Sequence, residues 1–167
     1  MAQYLRPINP DITVSGWTPT PLWAEIDEAT PEDSDYIVST KNPVSEICEL
    51  TLSGVTDPED HTGHIMRVRA RDDKDTGDLD MQLYEGATMR AQRMDVFITS
   101  SFVTYELTLT EVEAAAINDY SALSLRVSAR GVANNYVYVS WIELEVPDAG
   151  PAFIPRPSAQ GLDPMSF

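Results

Sequence analysis

The stretch Tyr136-Val137-Tyr138-Val139-Ser140-Trp141-Ile142-Glu143-Leu144-Glu145-Val146 is the longest run of β-branched and aromatic residues in the sequence. It ends at Pro147, where strand pairing must stop, and it predicts the last core strand. In its second half apolar residues alternate with Glu143 and Glu145, as in an antiparallel strand with one buried face. In its first half the apolar residues Val137, Val139 and Trp141 point to the opposite face from Ile142 and Leu144. Either both faces of this half are covered, or a β-bulge near Ser140 switches the buried face.

The length and charge of the chain narrow its class. A chain of 167 residues with 43% hydrophobic residues suits one globular domain plus appendages. Eleven basic residues against 27 acidic ones give a net charge of -16, which repels nucleic-acid phosphates. The segment Met1–Pro7 lacks a signal-peptide pattern and no apolar run has membrane-spanning length, so we expect neither usual export nor membrane insertion. The single cysteine, Cys48, lies in a predicted strand and is expected to be a buried thiol, in keeping with a reducing cytoplasm.

Alternating apolar residues and frequent turn signals predict about nine strands and an all-β fold, an antiparallel β-sandwich of the jelly-roll type. One short connector helix is expected after Thr110, whose spacing to Glu113 is that of a capping box. We expect an extended segment over 1–10, the sandwich over 11–147 and a proline-rich arm over 148–167. The predicted strands are 11–17, 22–27, 46–52, 64–71, 79–85, 88–98, 102–109, 123–128 and 136–146, with a short extended piece at 36–38. The last strand is expected to lie beside 11–17 and to expose its two glutamates.

Three arginines, Arg67, Arg69 and Arg71, occupy alternate positions of one predicted strand and therefore share one face of a sheet. The predicted hairpin partner of that strand is the segment 79–85. The arginines could be matched across the hairpin by the outward side chains Asp80, Gln82 and Tyr84. The alternative is that they bind a partner protein.

The sequence offers little that is typical of a catalytic or metal site. The acidic residues between Glu25 and Asp60 could bind calcium, but no fixed ligand spacing is present, and a solvated face explains them as well. The loop 72–78 departs from a calcium-binding EF-hand loop, since Gly77 and Tyr84 stand where ligands belong. No phosphate loop, nucleophile elbow or zinc-protease motif occurs. We therefore expect no enzyme and no cofactor, with calcium the one alternative.

Residues 147–167 contain five prolines, together with apolar residues such as Phe153, Ile154 and Phe167. Such residues are typical of anchors that fold back on their own domain or dock on a neighbouring subunit. Both possibilities stay open.

Short motifs spread over most of residues 6–148 resemble those of small β-sandwich structural proteins encoded in tailed-bacteriophage virion gene clusters, a group similar in outline to carbohydrate-binding-module jelly rolls. The motifs are Arg6-Pro7 with Gly16-Trp17-Thr18, Asp33–Ile37, Leu52–Pro58, Gly63-His64 ahead of the arginines, Glu113–Ser121 and Val139–Pro147.

This resemblance implies a capsid decoration (cement) protein that binds and stabilises the outer surface of the capsid shell. Its expected partners are the major capsid protein or neighbouring virion subunits, in a homo-oligomeric arrangement assembled in the host cytoplasm. The expected contacts are Arg67, Arg69, Arg71, Phe153, Ile154 and Phe167. The alternative is a carbohydrate-binding module of a tail or head fibre that attaches to host-surface glycans. Its expected sugar-stacking residues are Trp17, Trp23 and Tyr36.

Overall fold

Two antiparallel sheets pack face to face in the computed structural model, which describes residues 1–132 and 134–150. Sheet one has the order β3-β4-β11-β6-β9, with β1 also paired to β11, and sheet two has the order β2-β5-β10-β7-β8. The strands are β1 (Gln3–Leu5), β2 (Pro7–Val14), β3 (Trp17–Thr18), β4 (Ile37–Ser39), β5 (Val44–Leu52), β6 (Ile65–Asp72), β7 (Gly77–Glu85), β8 (Thr88–Ile98), β9 (Val103–Thr108), β10 (Leu123–Arg130) and β11 (Val137–Val146).

The eight strands from β4 to β11 have the connectivity of a jelly roll. Strands β4, β11, β6 and β9 form the main part of sheet one, while β5, β10, β7 and β8 form that of sheet two, so the chain repeatedly crosses between the sheets. The predicted fold class, an antiparallel sandwich with one short connector helix, is confirmed. Strands begin at Gln3, earlier than the predicted start at Asp11, because β1 pairs with β11 and β2 pairs with β5.

Strand β11 is a central strand of sheet one, between β6 on one side and β4 and β1 on the other. The register of its pairing with β6 shifts between Val139 and Trp141. Of the two alternatives, a β-bulge near Ser140 therefore explains why the buried face changes along the strand. The expected pairing of β11 with the segment 11–17 was wrong, since residues 11–14 lie in β2 of the other sheet and Trp17 lies in β3, which pairs with β4. The chain changes sheets between β1 and β2, so the core separates β2 from β11.

The hydrophobic core lies between the inner faces of the two sheets. Facing pairs such as Leu50 with Leu125 in sheet two and Val68 with Ile142 in sheet one are fully buried. Cys48 is buried in the same core, as predicted, and burial raises the pKa of its thiol far above the usual value. Burying side chains of this kind stabilises the fold by about 1.5–3 kcal/mol each.

The two helical segments illustrate one wrong and one correct prediction. Residues 22–27 do not form a strand, because Leu22–Glu25 is a 3-10 helix whose first amides, Leu22 N and Trp23 N, donate to the Asp11 carboxylate at 2.8 and 2.9 Å. Helix α1 (Glu111–Ala115) has the predicted capping box between Thr110 and Glu113. Neither helix in the described part of the chain has the length and apolar character needed to cross a bilayer.

Strands β6 and β7 do not form the predicted hairpin, because they belong to different sheets. The buried Asp72 carboxylate fixes the connection between them by accepting hydrogen bonds from the loop amides up to Gly77 N and from Asn135 Nδ2. The side chains expected to pair with the arginines, Asp80, Gln82 and Tyr84, therefore lie on the outer face of the other sheet, sheet two. Asp80 pairs there with Arg130.

Candidate functional site

The three arginines of β6 lie on the outer face of sheet one, and each binds a carboxylate outside β6, with Asp33 the partner of Arg69 and Asp73 that of Arg71. Arg67 binds Glu106 of β9 at 2.9 Å and Glu145 of β11 at 2.6 Å. The neighbouring registers explain this, since β6 lies between β11 and β9. The arginines do have partners within the chain, as predicted, but these are not the predicted Asp80, Gln82 and Tyr84.

Glu143 is the buried centre of this ion network. Its carboxylate lies 2.6 Å from Arg6 and 3.7 Å from Arg67, and only 3% of the residue is exposed. Burial raises the pKa of the Glu143 carboxyl, although the two guanidinium groups oppose this shift. The expectation that Glu143 belongs to the exposed acidic surface was therefore wrong, because its carboxylate is buried against Arg6 and Arg67.

A pocket of about 460 Å³ opens above this network, within the range of roughly 300–1,000 Å³ typical of small-molecule sites. It combines apolar rings, two arginines and two carboxylates. The lining residues are Tyr4, Arg6, Ala29, Thr30, Pro31, Arg67, Trp141, Glu143 and Glu145.

The rings of the pocket differ in what they present to a ligand. Tyr4 is 44% exposed, with the Arg6 guanidinium 5.5 Å from its ring centroid. Trp141 is 5% exposed, and its Nε1 donates to the Glu28 carbonyl at 2.9 Å, which holds the pocket wall against the sheet. Tyr4 is thus the ring that a ligand can stack on, and Trp141 supports the wall.

Two polar atoms near the pocket have unused hydrogen-bonding capacity. Within residues 1–132 and 134–150, Arg6 Nε and Glu28 Oε2 are buried without a hydrogen-bond partner. Burial raises the pKa of the Glu28 carboxyl. Such atoms are uncommon in folded proteins and are often found at functional sites.

At the other end of the same face, an aromatic patch surrounds Arg71. We define the patch as Tyr36, Phe102 and Tyr138, together with Arg71 itself. The guanidinium lies 3.7 Å from the ring centroid of Tyr138 and 5.2 Å from that of Phe102. Tyr36 is 36% exposed and packs edge-on against Tyr138, with centroids 5.4 Å apart.

Asp33 lies between the pocket and the aromatic patch. Its two oxygens accept bonds from Arg69 Nε and Arg69 Nη2, each at 2.6 Å, and Ser140 Oγ donates to it at 3.0 Å. The Arg69 hydrogen bond lowers the pKa of the Asp33 carboxyl, and burial opposes this only in part. A fixed charged group therefore connects the two ends of the face.

The residues predicted to stack on sugars have three different positions. Trp17 is 1% exposed, and its Nε1 donates to the Glu46 carbonyl at 3.1 Å, so it is a core residue and that prediction was wrong. Trp23 is partly buried and packs against the hydrophobic core. Tyr36 lies on the outer face of sheet one, in the aromatic patch.

Other expectations for the site have mixed outcomes. In the described ranges, no group of three or more His, Cys, Asp or Glu side chains could hold a metal ion. His64 is buried, with Nε2 2.6 Å from the Tyr120 hydroxyl. Phe153, Ile154 and Phe167 lie outside the described residues.

The sequence patterns missed Tyr4, Arg6 and Glu143 as site residues. Tyr4 and Arg6 fall in a segment predicted to be extended and unpaired, whereas they belong to β1 and to its junction with β2. The alternation around Glu143 correctly indicated an outward side chain. Its burial depends on Arg6, 137 residues away, and no local pattern reports such a contact.

No protein-family model matches the sequence, and no curated protein matches it. Among solved structures, the chain is similar to TmCBM61 in complex with β-1,4-galactotriose, with a TM-score of 0.42 and 12% identity over 68% of this chain and 70% of that chain. It is also similar to CBM29_1, a family 29 carbohydrate-binding module from Piromyces equi, with a TM-score of 0.44 and 13% identity over 86% of this chain and 90% of that chain. Residues of this chain alone form the two sheets and line the pocket.

Proposed function

We propose that this protein is a non-enzymatic carbohydrate-binding module whose pocket holds an uncharged sugar. The observation that carries the proposal is the exposed ring of Tyr4 beside the buried carboxylate of Glu143, in a pocket of about 460 Å³. A sugar ring has an apolar C–H face and a rim of hydroxyl groups. An aromatic ring packs against the C–H face, and charged groups form strong hydrogen bonds with the hydroxyl groups.

The polar groups of the pocket are held in place before a ligand arrives. Glu143 is bound by Arg6 at 2.6 Å, and Glu145 is bound by Arg67 at 2.6 Å. Side chains fixed in this way lose little conformational entropy on binding, which favours affinity. The Glu145 side chain is 23% exposed, and its carboxylate can accept a further hydrogen bond from a sugar hydroxyl, while the buried Glu143 holds Arg6 in place.

The charges of the site favour an uncharged ligand. The guanidinium groups of Arg6 and Arg67 are balanced within the pocket by the carboxylates of Glu143 and Glu145. The whole chain carries a net charge of -16, so its field repels anionic glycans during approach. Uronic acids and sialic acids would meet this repulsion without an unmatched cation in the pocket to offset it.

The absence of catalysis is part of the proposal. Glu143 and Glu145 both bind Arg67, so the two carboxylates are engaged in one ion network. A glycosidase needs one carboxyl that donates a proton and a second that acts as base or nucleophile. Release of reducing ends from a bound oligosaccharide during prolonged incubation would contradict this part of the proposal.

The test is binding of uncharged gluco-, galacto- and manno-oligosaccharides, measured by glycan array and then by calorimetry. We expect Tyr4→Ala to weaken binding about two- to tenfold, the range expected when an aromatic contact is lost. Phe97→Ala is the matched control, since Phe97 is an exposed ring, 55% accessible, on β8 of the other sheet. Failure of the wild-type protein to bind any uncharged glycan, or equal effects of the two substitutions, would refute the proposal.

Placement in a phage virion is a separate prediction that rests on the sequence resemblance. We propose that the protein occupies the outer capsid surface, contacts the major capsid protein or neighbouring subunits as a homo-oligomer, and is assembled in the host cytoplasm. A sugar-binding jelly roll and a decoration role are compatible in one protein. In purified particles its copy number should be a fixed fraction of that of the major capsid protein, and a handful of copies per particle would contradict a decoration role.

A further inference from the structure

We infer that the aromatic patch of Tyr36, Phe102, Tyr138 and Arg71 is a second sugar contact, and that the ligand is a chain long enough to touch both the patch and the pocket. This inference rests on the proposed function. It adds a site at the far end of the same sheet face and specifies an oligosaccharide in place of a single terminal sugar.

The first argument is the position of the three rings. They lie on the outer face of sheet one and are not part of the core between the sheets. Tyr36 stays 36% exposed although Phe102 and Tyr138 lie beside it, with ring centroids 6.4 and 5.4 Å away. Aromatic rings gathered outside the core contribute less to stability than buried ones, and exposed aromatic groups are typical of recognition surfaces.

The second argument is that the patch is preorganised. The Arg71 guanidinium lies between two rings, 3.7 Å from the centroid of Tyr138 and 5.2 Å from that of Phe102. Its Nη1 donates to Asp73 Oδ1 and to the Asp72 carbonyl, both at 3.3 Å. The rings are therefore held in fixed relative positions, as a stacking platform requires.

The third argument is distance and alignment. Arg67 lines the pocket and Arg71 belongs to the patch, and both project from the same face of β6. Four residues of a strand span about 13 Å. The polar group between them is the Asp33 carboxylate, whose side chain is 42% exposed and can accept a hydrogen bond from a hydroxyl in the middle of the chain.

The test compares a disaccharide and a hexasaccharide of whichever uncharged gluco-, galacto- or manno-series binds in calorimetry. A disaccharide is too short to touch both contacts, whereas a hexasaccharide is long enough. We expect the wild-type protein to bind the hexasaccharide more tightly. Tyr36→Ala should remove about two- to tenfold of hexasaccharide affinity and leave disaccharide affinity unchanged.

Two further variants separate a lost contact from a lost fold. Tyr36→Leu keeps apolar volume while removing the ring, and it should lose the same hexasaccharide affinity with an unchanged thermal midpoint. Phe97→Ala, on the other sheet, should change neither affinity.

The possible failures are distinguishable. Three results would overturn the second contact while leaving the pocket in place. The wild-type protein could bind the disaccharide and the hexasaccharide equally tightly, or the Tyr36 variants could leave both affinities unchanged. The Tyr36 variants could also weaken the binding of both sugars equally. Binding of neither sugar by the wild-type protein would overturn the proposed function and the second contact with it.

Discussion

Replacing Asp72 with alanine should destabilise the sandwich more than any other single change in the connection between β6 and β7. The carboxylate is fully buried and accepts five hydrogen bonds. Three donors are the amides of Lys74, Asp75 and Thr76, exposed loop residues where water can replace the carboxylate in the variant. The other two are the buried Gly77 N–H, at 2.6 Å, and Asn135 Nδ2, at 2.9 Å.

The magnitude follows from the two donors that water cannot reach. An unpaired buried donor costs about 1–3 kcal/mol, so we expect Asp72→Ala to lower the free energy of unfolding by about 3 kcal/mol. Urea denaturation followed by tryptophan fluorescence measures this, since Trp17 and Trp141 are buried in the fold. Asp73→Ala is the matched control, because Asp73 is a loop carboxylate that accepts a long bond, 3.3 Å, from the Arg71 side chain, and its loss should cost less than about 1 kcal/mol.

The pH dependence gives an independent check on the same carboxylate. Burial would raise the pKa of Asp72, but the hydrogen bonds from Thr76 N, Asp75 N, Asn135 and Gly77 N outweigh it and lower the pKa below the usual 3.8. Its stabilisation is therefore present above pH 3.8 and is lost as pH falls through the depressed folded value. The stability gap between wild type and Asp72→Ala should narrow on acidification below pH 3.8. A gap that widens there, or a loss no larger than that of Asp73→Ala at neutral pH, would refute the reasoning.

Three further predictions concern other buried or capping groups. The Cys48 thiol should not react with a thiol reagent until the protein unfolds, because burial raises its pKa and excludes the reagent, and rapid labelling of native protein would contradict this. Thr110→Ala should lower the unfolding free energy by about 1 kcal/mol in denaturant titration by removing the cap of α1, with Thr110→Ser as the control that keeps it. Burial lowers the pKa of His64 below its usual 6.5, so the stabilisation from its neutral form should be lost as pH falls from 6.5 through the folded value, and His64→Gln should flatten that part of the stability profile.

Local patterns predicted those features of the chain that depend on near neighbours. The alternation around Cys48 indicated a strand with a buried thiol, and the spacing of Thr110 and Glu113 indicated a capped helix. The two-residue period of Arg67, Arg69 and Arg71 placed three guanidinium groups on one sheet face. These inferences succeeded because strand parity and helix capping are decided within a few residues.

Local patterns failed where the result depended on which strands become neighbours. The 3-10 helix at Leu22 replaced a predicted strand because Asp11 accepts hydrogen bonds from its first amides. Trp17 was expected to be exposed, and it is buried between the sheets. Both outcomes depend on contacts between segments that turns separate, and period-two alternation contains no information on them.

The stretch 136–146 shows the same division within one strand. By itself the sequence determined that this segment is a strand, that it ends before Pro147, and that a bulge near Ser140 could change its buried face. Only the tertiary structure decided that it pairs with β6 and that Arg6 covers Glu143, which turns an outward carboxylate into the buried centre of a pocket. The physical reason is that pairing and burial depend on free energies summed over distant segments, whereas parity is a property of the local backbone.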